Sequence, residues 1–136
     1  MRSSPRARVT LAGVTLVALA AVAVTAARAA SVLDFDVWMR AIDKHSVDVQ
    51  KNIDARNTDA AVADAQELAR LYGLMTDYFV ADGHTADAVE MSRSGKAFAD
   101  SIAPALAAKN FDAASKAAVD LAHACNDCHD VHKPFQ

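Results

Sequence analysis

Cys125-Asn126-Asp127-Cys128-His129 is the run whose residue types and spacing can do chemistry. Residues at i, i+3 and i+4 share one side of an α-helix. On a helix, two thiols and an imidazole would therefore face the same way. Cys-x-x-Cys-His at this spacing is the attachment signal of c-type haem. The thiols of Cys125 and Cys128 bond two vinyl groups on one porphyrin edge, and His129 lies beneath the ring as an iron ligand. One covalent haem c is the cofactor this predicts.

Three other chemistries use the same residues. A Cys125–Cys128 disulfide closes so short a loop that it stabilises little, and helical geometry strains it. Thiol-redox sites place Cys-x-x-Cys near a strand-helix-strand unit, and no strand pattern stands out here. Zinc suits Cys125, Cys128 and two of His123, His129 and His132 by type, but four ligands crowded onto one helical end have awkward geometry.

The elements that must position these groups read as helices. Apart from the first stretch, the chain is rich in Ala, and its remaining glycines and prolines are Gly73, Gly83, Gly95, Pro104 and Pro134. Apolar residues recur at spacings of three and four. Phe35, Met39, Ile42, Ser46, Val49 and Ile53 mark a helix over 34–55. Ala61, Ala65, Leu68, Tyr72, Met75 and Phe79 mark one over 59–81. Ala88, Met91, Gly95, Phe98 and Ile102 mark a third over 86–107, with Pro104 placed to kink it. Ala114, Ala118, Leu121, Cys125 and Cys128 mark the fourth over 113–131. Asn57 or Thr58 can cap the second helix and Thr85 the third. Four such helices with short turns predict an all-α, up-down-up-down antiparallel four-helix bundle. A core made largely of Ala is thin, and a cofactor would add apolar volume.

Residues 1–29 read as a secretory signal peptide and 30–136 as the haem domain. Arg2, Arg6 and Arg8 precede an apolar run from Val9 to Ala26, and Ala27-Arg28-Ala29 offers a cleavage site. The run is also long enough to span a bilayer if left uncleaved. Cleavage predicts an exported, periplasmic protein without stable membrane association. Four of the 14 basic residues and none of the 17 acidic ones fall in this leader. The remainder carries 10 basic against 17 acidic residues, which argues against nucleic acid as a partner and is compatible with a basic protein.

The chain resembles the class II c-type cytochromes, the cytochrome c′ family. Cys125 to Lys133 resembles that family's C-terminal attachment segment, and Trp38-Met39-Arg40-Ala41-Ile42 resembles its first-helix segment facing the haem. The likeness covers about 33–135; the attachment motif is specific, and the rest is a pattern of helices and small residues. It implies His129 as fifth iron ligand. Low-spin members fill the sixth position with a first-helix Met and carry electrons; high-spin members leave it empty behind an apolar side chain and bind small gases. Met39 falls at the matching place. Members often pair through the outer faces of their first two helices, so a homodimer is among the implied partners. Many carry a basic residue one turn before the Met position; Phe35 stands there instead, leaving Arg40 or Lys133 for a haem propionate.

In an antiparallel bundle Met39 and His129 come to similar depth, as do Met75 and Met91, which read as core filler. Trp38, Phe35, Tyr72, Phe79 and Phe98 are expected to line the haem. Gly95 would let a helix or the haem come close. His45, His84, His123 and His132 are expected at the surface, with His132 also within reach of a propionate. The reading that follows is a periplasmic electron carrier with His129 and Met39 as axial ligands and a redox partner protein. It is not an enzyme, as it needs no catalytic base or nucleophile. The alternative is a five-coordinate protein that binds nitric oxide or carbon monoxide, with Met39 as a distal wall.

Overall fold

The structure, a computed structural model, describes residues 29–83 and 86–132. The leader's charged and apolar stretches, His84, Thr85 and Lys133 lie outside the described residues. The described chain is all-helical, with no strand: α1 (Val32–Asp54), α2 (Thr58–Ala81), α3 (Ala86–Ala107) and α4 (Phe111–His132). None of these helices is long and apolar enough to cross a membrane.

Local sequence sets the helix ends. Ser31 caps α1 through a capping box: its hydroxyl accepts the Asp34 N–H at 3.2 Å, and the Asp34 carboxylate accepts the Ser31 N–H at 2.8 Å. This starts α1 at Val32, three residues before the apolar stripe begins at Phe35. At the other end Arg56 takes a left-handed conformation (φ 59°), and the Asn57 N–H reaches the Asn52 carbonyl at 2.8 Å. Lys109 (φ 55°) and the Asn110 N–H to Ala105 carbonyl bond, 2.9 Å, repeat the arrangement after α3. Both are Schellman endings, which satisfy carbonyls left over in the last turn. Asn110 then caps α4 by accepting the Ala113 N–H at 3.1 Å. Phe111 and Asp112, expected in the turn, are therefore helical. Asn57 precedes α2 but makes no side-chain cap bond. α3 continues through Pro104.

Each helix packs on its neighbours in chain order, α4 returns to α1, and no Cα atoms of the diagonal pairs come within 8 Å of each other. Contacts at the ends give the directions. Phe35 at the start of α1 stacks on Tyr78 near the end of α2, ring centres 5.0 Å apart. Thr76 of α2 meets Ser92 of α3 at 2.8 Å. Gln50 near the end of α1 donates to Ser115 near the start of α4 at 3.1 Å. The core is small: seven alanines, with Ile42, Val49, Ile53, Leu68, Leu71, Ile102, Leu106 and Leu121 as its main bulk. On α3 the buried face is Ala88, Ser92, Gly95, Ala99, Ile102 and Leu106. It is turned slightly from the expected stripe, leaving Met91 and Phe98 half-buried on its flank.

Away from the motif, α1 and α2 are joined by one polar cluster. Asp64 accepts the Asn52 amide at 2.8 Å and faces His45 Nδ1 at 2.7 Å. His45 is thus half-buried and partnered, not at the surface as expected. Asp64→Ala leaves both groups without an acceptor and should cost about 1–3 kcal/mol in urea unfolding. Asp48→Ala, which removes only the partner of exposed Lys44, should leave the unfolding midpoint unchanged. Equal midpoints for the two variants would contradict this.

Candidate functional site

α4 touches α1 less than either touches its other neighbour. At the end of the molecule where α1 and α3 start and α2 and α4 finish, the helices enclose a cleft of about 780 Å³. That volume falls within the roughly 300–1,000 Å³ of small-molecule and cofactor sites. Its apolar wall comes from Phe35, Met39, Ile42, Met75, Phe79, Ala88 and Met91, and its rim carries Asp36, Arg40 and Asp43. Cys125, Cys128, His129 and His132 line it from α4.

The side chains singled out by the sequence are therefore largely brought together. Cys125, Cys128, His129, Met39, Phe35 and Tyr72 all line the cleft. Trp38 and Phe98 do not. Trp38 packs edge-on against Tyr78, ring centres 6.5 Å apart. Phe98 lies six residues beyond Ser92, about 9 Å further along α3 at 1.5 Å per residue, and packs against the core. His123 is exposed, as expected, whereas His132 is half-buried on the cleft wall, its Nε2 3.2 Å from Asp87. That approach is an ion-pair distance only, because the nitrogen makes no hydrogen bond of good geometry. Arg40 reaches the rim but is paired with Asp36.

Cys125 and Cys128 are half-buried free thiols. Burial pushes both thiols up from the ordinary range, and the hydroxyl of Tyr72 partly offsets this at Cys125. Reactive redox thiols are held down instead, next to cations or helix N-termini. The two sulfurs thus have the character of buried thiols rather than activated ones. Among the described residues no three His, Cys, Asp or Glu side chains gather as they would around a metal ion. His129 makes no hydrogen bond among the described residues, which leaves its ring nitrogens available on the cleft wall.

Nothing local in the sequence reveals what surrounds Cys125. Tyr72, 3% exposed, hydrogen-bonds Cys125 Sγ through its hydroxyl at 2.9 Å. Burial and this contact push the phenol's pKa well up, so it stays protonated. Gly95 on α3 makes room for the ring: a Cβ there would sit 2.6 Å from Tyr72 Cζ and 2.8 Å from Cδ1. The close approach expected at Gly95 is thus made by a side chain of α2.

The donor set suits a covalently held, iron-containing porphyrin. Two sulfurs at helical spacing, one unengaged imidazole and a sulfur-rich apolar wall share one cleft, with a short polar rim at its mouth. Gly95→Ala tests the packing behind the sulfurs. Helix propensity favours Ala by up to about 1 kcal/mol, but displacing a buried ring costs about 1–3 kcal/mol. The variant should be less stable in chemical denaturation; equal or greater stability would contradict the fit. Comparison with protein-family models, with curated proteins and with solved structures finds no match for this chain.

Proposed function

We propose that this chain is an exported c-type haem protein, an up-down-up-down antiparallel four-helix bundle that carries single electrons. The observation that carries the reading is the sharing of one cofactor-sized cleft by Cys125, Cys128, His129 and Met39. Cys125 and Cys128 would each add S–H across a porphyrin vinyl group, the sulfur bonding one carbon and the hydrogen the other. His129 would ligate iron, with Met39 as the second axial ligand. When bound, the haem supplies an iron that accepts and releases one electron.

The residues around it then have definite tasks. Two protein ligands would hold the iron in both oxidation states, and Met ligation would raise the reduction potential. Phe35, Met75, Phe79 and Met91 would keep water from the haem. The cleft end carries an excess of acid: Asp36 is paired with Arg40, but Asp43 also lines the cleft, and exposed Asp127 and Asp130 lie within and just after the attachment motif. A basic redox partner protein would be steered to this end, and its association should slow as ionic strength rises. An association rate indifferent to salt would count against that partner.

The optical spectrum of protein produced with a haem-attachment system tests the ligation. The oxidised protein should be low-spin with a weak Met-to-iron charge-transfer band, and the reduced form should bind carbon monoxide poorly. Met39→Ala should turn it high-spin and open it to carbon monoxide. A wild-type protein that is already high-spin and takes up carbon monoxide readily would overturn the carrier in favour of a gas-binding protein with Met39 as a distal wall.

A further inference from the structure

The two sulfurs are not equivalent. Cys128 makes no hydrogen bond among the described residues. Cys125 is held from one side by the Tyr72 hydroxyl at 2.9 Å. The buried Oγ of Ser46 forms no hydrogen bond. Tyr72 is in turn fixed from behind. Its ring fills the notch left by the missing side chain of Gly95, and its backbone carbonyl accepts the Thr76 hydroxyl at 2.8 Å. A buried phenol needs a partner, and Cys125 is its partner here.

The geometry points to Tyr72 as a positioning residue for attachment: seated on Gly95, it holds the Cys125 sulfur on the cleft wall and remains its hydrogen-bond donor after the thioether forms. This rests on the covalent-haem reading. The direction of the bond follows from the chemistry. A thiol can donate or accept, whereas a thioether sulfur has lost its hydrogen and can only accept. The contact survives attachment only if Tyr72 donates. Its ring, wedged between α2 and α3, restricts where the sulfur can sit, so Cys125 and not Cys128 sets the first fixed point of the porphyrin edge.

Tyr72→Phe keeps the ring and removes the hydroxyl. In full-length chain produced with a haem-attachment system, peptide mapping by mass should show both thioethers in the wild type. The variant should show a measurable fraction of molecules attached through Cys128 alone. Its reduction potential should also differ from that of the wild type once doubly attached molecules are isolated, because a donor to the thioether sulfur is gone. Gly95→Ala, which dislodges the same ring, should shift attachment in the same direction. Complete attachment at Cys125 together with an unchanged potential in Tyr72→Phe would overturn the proposal. Wild-type protein without covalent haem would defeat the haem reading itself. The clamp is then read in haem-free chain by alkylation at fixed pH. A lost donor leaves less thiolate, so the rate at Cys125 relative to Cys128 should fall about threefold in Tyr72→Phe. An unchanged ratio would show that no clamp exists.

Discussion

Helical periodicity obliges Cys125, Cys128 and His129 to share one side of α4, and the rest of the molecule decides what that side meets. Up to Leu121 it meets core. Beyond Leu121, α4 runs alongside the start of α1, the neighbour on which it packs less closely. The same residues that would have sealed an ordinary bundle instead face a cleft of about 780 Å³. The opening follows from where the bulk lies. Fully buried Ile, Leu and Val side chains fill the middle and far end. At the cleft end the large side chains, Phe35, Tyr72, Met75 and Phe79, stand around the space rather than across it.

A domain with so many alanines in its core gains limited stabilisation from apolar burial. An apolar group filling the cleft would bury the exposed faces of Met39, Met91 and both cysteines, joining α1 to α4, the neighbouring pair that touches least. Cofactor retention and fold stability would thereby be coupled, because anything binding the folded form alone stabilises it. The proposed covalent attachment would make that gain permanent.

Much of the fold was legible because periodicity names a helix and a face directly. The four helices were placed to within about two residues at each end. The departures have local causes. Ser31 and Asp34 form a capping box, so α1 begins before its first core residue; Asn110 is both the end of one Schellman motif and the cap of α4, so the turn is shorter than its polar run implied. Of the site, the motif residues, Met39, Phe35 and Tyr72 were legible, because chemistry and depth along the bundle sufficed. Trp38 and Phe98 were not separable from them. A stripe gives the face but not the small rotation that moves Phe98 to a flank, nor how far from the open end a ring lies. Sequence alone places His45 and His132 at the surface, since nothing local in it reveals Asp64 nineteen residues on or Asp87 on another helix. The Tyr72–Cys125 contact joins residues 53 apart, and only packing could bring it out.

The proposed covalent bond between this polypeptide and a porphyrin is read most directly by intact mass. Chain produced with a haem-attachment system and unfolded in denaturant should keep its colour and weigh one haem more than the bare polypeptide, with Cys125 and Cys128 both refractory to alkylation. A colourless product at the bare polypeptide mass, with two alkylatable thiols, would contradict it.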